Sequence, residues 1–122
     1  MKRNILVVDD DADVLKCIKD IFEHEGDAVI TTDNGMDCLK VLEKGFTGIL
    51  LIDIVMPYMD GWATIKEIVH RGLEKNISIV VITAIGSTKR HKKMKGLEPY
   101  ILDYIAKPFE VQEMIHAIEK LN

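Results

Sequence analysis

The stretch Ile49-Leu50-Leu51-Ile52-Asp53 joins four consecutive apolar residues to a carboxylate. A short run without polar alternation is typical of a strand that is buried on both faces, as central strands of parallel sheets are. A carboxylate at the end of such a strand is costly to remove from water unless a partner compensates its charge. In open parallel α/β sheets, ligands bind at the carboxyl ends of the strands. Asp53 is therefore a candidate functional residue.

Apolar runs of this kind recur along the chain, and amphipathic stretches lie between them. The other runs are Ile5–Val8, Ala28–Ile30, Ile77–Ile82 and Tyr100–Ile105. Apolar residues in the intervening stretches recur at helical spacing. These helices are marked by Val14 to Phe22, Met36 to Leu42, Trp62 to Val69 and Val111 to Leu121, with a more polar helix from about Lys89. Gly26 and Gly45 are expected to end the first two helices.

Strands that alternate with helices predict a parallel sheet with helices on both faces. We expect one compact domain over residues 1–122 with an α/β fold, the flavodoxin-like doubly wound (βα)5 sandwich with strand order 2-1-3-4-5. In this order the first and third strands are neighbours. Asp9 and Asp10, which follow the first strand, should therefore lie close to Asp53.

Composition limits the classes of partner and compartment. The chain has 122 residues and a net charge of -4, which gives no sign of direct nucleic-acid or membrane binding. Cys17 and Cys38 are expected to be small buried residues in a reducing compartment rather than a disulfide. The apolar run near the N-terminus is too short for a signal peptide, and no run approaches membrane-spanning length. We expect a cytoplasmic protein.

The predicted carboxylate cluster suits phosphoryl chemistry. Carboxylates at such short distances repel one another unless a proton or a cation compensates. Hard oxygen ligands in an open loop favour Mg²⁺, and Asp53 is placed to act as a nucleophile that forms an acyl phosphate. After the fourth strand, the Thr83 hydroxyl can donate to a phosphoryl oxygen. After the fifth strand, Lys107 can form an ion pair with it.

Each of these residues also has a simpler structural interpretation. An acidic doublet such as Asp9-Asp10 often lies at a helix N-terminus, where Asp11 or Asp13 can serve as the cap. Taken alone, Thr83 is a strand-end hydroxyl and Lys107 a solvated lysine. Tyr104, in the fifth apolar run, is by the same standard a core residue. Their joint placement at successive strand ends favours the functional interpretation.

The polar motifs also stand in a characteristic order. They are Asp9-Asp10, Asp53 in Asp53-Ile-Val-Met-Pro57-Tyr-Met-Asp60-Gly61, Thr83-Ala84, Asp103-Tyr104 and Lys107-Pro108-Phe109. This ordered set, which spans nearly the whole chain, resembles the receiver domain of two-component response regulators of the chemotaxis-regulator type.

The resemblance implies a phosphorelay switch rather than an enzyme that acts on other molecules. Asp53 would accept a phosphoryl group from a sensor histidine kinase or a histidine phosphotransfer protein. Asp10, Asp53 and the backbone carbonyl of Val55 would bind Mg²⁺ directly, and Asp9 would act through a metal-bound water.

Further residues take roles by the same resemblance. Thr83 would turn toward the phosphate while the ring of Tyr104 moves inward, and Lys107-Pro108 would be a cis peptide. A downstream domain or protein would bind the face formed by the fourth helix, fifth strand and fifth helix. The basic run from Lys89 to Lys95 would lie in that predicted fourth helix. We interpret it as a solvated face, with partner docking as the alternative.

Two features depart from the usual pattern of the family. The positions that modulate phosphoryl lifetime hold Val55 and Ile85, whose side chains cannot orient an attacking water. We therefore hypothesise a long-lived phosphorylated form. Pro99-Tyr100 replaces the usual small residues before the fifth strand, which leaves the entry to that strand and the choice of partner open.

Other functions use similar parts. A haloacid-dehalogenase-like phosphatase would need a second Asp two residues after the nucleophile, where this chain has Val55. A flavin-binding module would need a phosphate-binding loop where the chain has Asp9-Asp10-Asp11. A degenerate receiver that only binds partners would not need the intact site. The sequence also leaves open whether this is a stand-alone regulator or one domain of a larger protein.

Overall fold

The computed structural model describes residues 2–84 and 96–121. Its strands are β1 (Asn4–Val8), β2 (Ala28–Thr32), β3 (Gly48–Asp53), β4 (Ile77–Ala84) and β5 (Ile101–Lys107). Its helices are α1 (Ala12–His24), α2 (Gly35–Glu43), α3 (Gly61–His70) and the C-terminal helix (Val111–Glu119), with short 3₁₀ turns at Leu73–Asn76 and Glu98–Tyr100. The polar helix predicted from about Lys89 lies outside the described residues.

The strands form one parallel sheet in the order β2-β1-β3-β4-β5. This confirms the predicted flavodoxin-like fold and places β3 at the centre. Val8 pairs with Ile52, and Asp53 pairs with Ile82, so the carboxyl ends of β1, β3 and β4 lie at one edge. Residues that follow these strands are therefore brought together, as a doubly wound sheet requires.

The apolar run of β3 contributes to hydrophobic clusters on both faces of the sheet. Leu50 and Ile52 belong to the cluster formed with α2 and α3. Ile49 and Leu51 belong to the cluster formed with α1 and the C-terminal helix. Each fully buried side chain of this size contributes about 1.5–3 kcal/mol, so both clusters stabilise the strand that carries Asp53.

Polar caps set where the helices begin, and glycines follow their ends. Asp11, Asn34 and Asp60 are the N-caps of α1, α2 and α3, and each accepts a backbone N–H from the first turn. Gly26 and Gly45 have positive φ angles of 92° and 102°, which favour glycine, and they end the first two helices as predicted. These boundaries leave the loops after β1 and β3 free to form the site.

One prediction of burial is wrong, and several other apolar side chains lie at the surface. Cys17 is exposed because the neighbouring Ile18 occupies the buried face of α1, whereas Cys38 is fully buried. Met36 and Val111 are 54% and 47% exposed, since each lies in the first turn of its helix, beyond the edge of the core. Tyr100 lies at the surface in a 3₁₀ turn, so its ring requires no space in the core. Within the described ranges, no helix is long and apolar enough to cross a membrane.

Candidate functional site

Three carboxylates meet at the carboxyl edge of the sheet. Asp9 and Asp10 follow β1, and Asp53 ends the neighbouring β3. One oxygen atom from each side chain lies within 4.8 Å of the others. Asp9 is fully buried and Asp53 is 4% exposed, whereas Asp10 is open to solvent. The predicted juxtaposition of these residues is thus present in the structure.

The buried Asp9 carboxylate has a protein partner on each oxygen. Its Oδ1 accepts the backbone N–H of Asp11 at 2.9 Å, and its Oδ2 accepts from Lys107 Nζ at 2.7 Å. The backbone N–H of Asp9 donates to the carbonyl of Thr32 in β2. Sequence reasoning gave Asp11 no role beyond capping, because a backbone donor leaves no signal in residue type. Asp11 both caps α1 and orients Asp9.

Asp53 is held less tightly than Asp9. Its Oδ1 accepts the backbone N–H of Val55 at 3.2 Å, and its Oδ2 lies 3.3 Å from Lys107 Nζ. Burial raises the pKa of Asp53, and the neighbouring charge of Asp9 adds to the rise, although the Val55 N–H and Lys107 oppose it. The ionised form of Asp53 is therefore incompletely compensated by the protein alone.

Lys107 reaches both buried carboxylates from the end of β5. Burial by itself lowers the pKa of this ammonium, but the hydrogen bond to Asp9 and the charges of Asp53 and Asp9 outweigh it, and the net pKa is raised. The Lys107-Pro108 peptide is cis, as the family resemblance implied. The lysine is thus a charged partner at the site rather than a solvated side chain.

The loop between β3 and α3, residues 54–60, passes close to the backbone of β3. A methyl group at Gly61 would overlap the carbonyl oxygen of Asp53 and lie 2.6 Å from the Cα of Ile54. The Gly61 N–H donates to the Ile54 carbonyl at 3.1 Å. The Val55 side chain is 63% exposed and lies at the wall of the site. The loop therefore turns back sharply and presents the backbone of Val55 beside Asp53.

The two residues expected to form a switch lie beside the pocket rather than in its wall. Thr83 is buried, and its Oγ1 donates to the Ala84 carbonyl at 3.4 Å. Tyr104 is half-buried and packs against the cluster on the α2 and α3 face. Thr83 pairs with Ala106 in β5. Tyr104 precedes Ala106 by two residues, so Thr83 and Tyr104 lie on the same face of the sheet.

The carboxylates border an open pocket of about 300 Å³. Its lining residues are Asp9, Asp10, Asp11, Asp53, Val55, Ala84 and Lys107. Three carboxylates converge here with one ammonium between them, and burial already disfavours ionised Asp53. An all-oxygen set with excess negative charge fits a hard divalent cation such as Mg²⁺.

A flavodoxin-like sheet whose carboxyl edge carries an acidic pocket and a facing lysine is the arrangement of a signalling receiver domain. Comparison of the sequence with family models agrees with this class. The chain belongs to the response regulator receiver domain family, whose model matches residues 5–119.

Individual relatives support the same family. The chain is 33% identical to a probable transcriptional regulator, ycf27, of Pyropia yezoensis over 93% of its length, and 31% identical to the response regulator SaeR of Staphylococcus aureus over 97%. These matches cover 44% and 50% of the relatives, so the chain spans about half their length. A CheY-like receiver domain protein from Methanospirillum hungatei superposes with a TM-score of 0.90 at 42% identity, covering 97% of this chain and 92% of that one.

Two features predicted from the sequence lie outside the described residues. They are Ile85, the second of the two apolar positions linked to phosphoryl lifetime, and the basic run between Lys89 and Lys95. Both stay predictions.

Proposed function

We propose that residues 1–122 act as one receiver domain, a switch that accepts a phosphoryl group on Asp53. The observation that carries this proposal is the position of Asp53. It is a nearly buried carboxylate at the end of the central strand, and its charge is incompletely compensated by Lys107. A buried carboxylate with an incompletely compensated charge does not help to stabilise the fold, whereas a phosphoryl acceptor requires one.

The donor is a phosphohistidine on a sensor histidine kinase or on a histidine phosphotransfer protein. A carboxylate oxygen of Asp53 forms a new bond to phosphorus as the bond from phosphorus to the imidazole nitrogen breaks. The imidazole retains the electron pair of the broken bond. Lys107, now 3.3 Å from Asp53, pairs with the negative charge that the phosphoryl group brings.

The acidic pocket would hold Mg²⁺ through Asp10, Asp53 and the backbone carbonyl of Val55, and Asp9 would act through a water. When bound, the ion neutralises carboxylates that would otherwise repel an incoming phosphoryl group. The chain's own residues do the positioning. Asp11 and Lys107 orient Asp9, and the Val55 N–H orients Asp53.

Thr83 and Tyr104 carry the change to the surface. On phosphorylation, the Thr83 hydroxyl leaves the Ala84 carbonyl and donates to a phosphoryl oxygen. The space it vacates lies on the face of the sheet that Tyr104 shares, so the tyrosine ring moves inward. A partner or output domain then reads the altered face that includes β5 and the C-terminal helix.

This role is that of a cytoplasmic phosphorelay switch that catalyses only its own phosphorylation and dephosphorylation. A haloacid-dehalogenase-like phosphatase is not supported, because the residue two positions after Asp53 is the exposed, apolar Val55. Turnover of a generic phosphomonoester would revive that alternative.

Phosphoramidate, a small phosphoryl donor, tests the proposal without a cognate kinase. We expect the intact mass to rise by one phosphoryl group in the presence of Mg²⁺ and to stay unchanged in EDTA. Asp53→Asn should abolish the gain. Asp33→Asn, which changes an exposed aspartate after β2, should not. A gain that persists in Asp53→Asn, or no gain in the wild type, would refute the proposal.

A further inference from the structure

Gly35, the first residue of α2, packs against the segment that follows the phosphoacceptor strand. A methyl group at Gly35 would overlap the Oγ1 atom of Thr64 and lie 3.1 Å from Sδ of Met59. Thr64 is in the first turn of α3 and is fully buried, and Met59 belongs to the loop of residues 54–60. The start of α2 is therefore in close contact with both the loop of residues 54–60 and α3, the helix that follows this loop.

Lack of space explains the glycine, because backbone conformation does not. Gly35 lacks the positive φ angle seen at Gly26 and Gly45, where the space around an added methyl group is open. Inside a helix, alanine is favoured over glycine by about 1 kcal/mol. At Gly35 that preference is overridden by the atoms of Thr64 and Met59.

Thr64 cannot easily move aside. Its Oγ1 and its backbone N–H both donate to the carbonyl of Asp60, at 2.9 Å and 3.0 Å. Its β-branched side chain is restricted in rotation and is fully buried. A displacement of Thr64 would therefore be passed to Asp60, the last residue of the loop.

Hydrogen bonds join that end of the loop to the residues beside Asp53. The Gly61 N–H donates to the Ile54 carbonyl, and the Ile54 N–H donates to the Ile82 carbonyl in β4. Val55 follows directly, and its N–H donates to Asp53 Oδ1. A shift at Asp60 and Gly61 thus reaches the backbone of Val55 through a short, continuous set of contacts.

We infer that Gly35 is a positioning residue for the divalent cation site, although the atoms nearest to a methyl group there belong to Thr64 and Met59 rather than to the proposed ligands. This inference rests on the proposed function, in which the Val55 carbonyl and Asp53 bind Mg²⁺. The close approach of Gly35 to Thr64 sets how near the loop of residues 54–60 lies to Asp10. The sequence separates Gly35 from the loop by a helix and a strand, so only the fold reveals the link.

Mg²⁺ titration of the full chain tests this inference, read by calorimetry and by the emission of Trp62, the second residue of α3. Gly35→Ala should raise the dissociation constant for Mg²⁺ about tenfold, the lower end of the effects found for residues that support metal ligands. Met36→Ala, an exposed change on the same helix, should bind like the wild type. Urea unfolding in EDTA should record any separate change in stability.

A double variant distinguishes positioning from a general loss of stability. Thr64→Ala removes the overlapping oxygen, and the nearest remaining atom is the flexible Met59 Sδ at 3.1 Å. The double variant Gly35→Ala/Thr64→Ala should therefore bind Mg²⁺ with nearly the same affinity as Thr64→Ala alone.

The possible outcomes separate this inference from the proposed function. Wild-type affinity in Gly35→Ala, while Asp10→Asn binds poorly, would overturn the inference and leave the proposed function intact. Lower stability of Gly35→Ala in EDTA with an unchanged dissociation constant for Mg²⁺ would also overturn the inference. The same holds if Gly35→Ala weakens Mg²⁺ binding as much in the Thr64→Ala background as in the wild type. Absence of Mg²⁺ binding by the wild type would instead overturn the proposed function.

Discussion

Lys107 Nζ lies 2.7 Å from Asp9 Oδ2, although 98 positions separate the two residues in the chain. The same ammonium lies 3.3 Å from Asp53 Oδ2, so one lysine compensates two buried carboxylates. This ion pair joins the ends of β1 and β5 across the pocket. The stability of the protein and the chemistry of the site therefore depend on the same three charges.

Replacing Lys107 with methionine should destabilise the metal-free protein. The change leaves the fully buried Asp9 without its cation, and we expect a loss of about 1–3 kcal/mol, below the usual figure for buried pairs because Lys107 is partly exposed. Mg²⁺ should reduce this loss, since it neutralises the same carboxylates. Urea unfolding with Mg²⁺ and with EDTA measures both effects. Lys16→Met, which removes an exposed helical ion pair, is the control. An equal loss in both buffers would contradict this account.

Asp53→Asn should stabilise the metal-free protein at neutral pH. Burial raises the pKa of Asp53 above its value in the unfolded chain, so the folded protein binds this proton more tightly. Stability is therefore lost as the pH rises through the folded-state pKa. The gain in the free energy of unfolding of Asp53→Asn over the wild type should be greatest at pH 7. It should shrink as the pH falls toward about 4, the pKa of an unperturbed aspartate. Urea unfolding in EDTA across this range measures it, and a difference that is independent of pH would exclude the explanation.

Val55→Asn should shorten the lifetime of the phosphorylated form. The Val55 side chain is exposed at the pocket wall and offers no polar group to an attacking water, whereas an amide there can orient one. We expect dephosphorylation to accelerate by roughly tenfold, below the range of about 10²–10⁴-fold for a positioned general acid or base, because an amide only orients the water. The decay of intact phosphorylated mass after removal of phosphoramidate gives the rate. Val55→Leu is the matched apolar control, and equal rates in all three proteins would disprove the hypothesis.

Arg3→Met should destabilise the protein by about 3 kcal/mol without affecting Mg²⁺ binding. The Arg3 guanidinium donates to both oxygens of Asp27, at 3.0 Å and 2.8 Å, and the Asp27 side chain is fully buried. This ion pair joins the starts of β1 and β2, at the edge of the sheet opposite the pocket. Thermal or urea unfolding measures the loss of stability, and Mg²⁺ titration tests whether the two edges of the sheet are energetically independent. A changed Mg²⁺ affinity would show that they are coupled.

The parts of the fold that could be predicted are those encoded in local patterns. The uninterrupted apolar run from Ile49 to Ile52 identified a central strand, because both faces of such a strand must be buried. The alternation of strands and helices then restricted the connections to a doubly wound sheet. That sheet brings Asp9, Asp10 and Asp53 together whatever the details of the loops.

What could not be predicted depends on contacts between distant residues, and residue type alone can mislead. Cys17 was expected to be buried because cysteine usually is, but it lies beside Ile18, off the apolar face of α1, and is exposed. The backbone donor from Asp11 to Asp9 and the close approach of Gly35 to Thr64 arise only once the chain is folded. The residue types at these positions would fit many other arrangements.

The most direct test of the central claim is to map the modified residue after phosphorylation. Borohydride reduces an acyl phosphate to an alcohol and so converts the modified aspartate to homoserine, which peptide mass spectrometry can locate. After phosphoramidate and Mg²⁺, we predict homoserine at position 53 and at no other aspartate. Homoserine at Asp9 or Asp10, or its absence from the whole chain, would contradict the assignment of Asp53 as the phosphoacceptor.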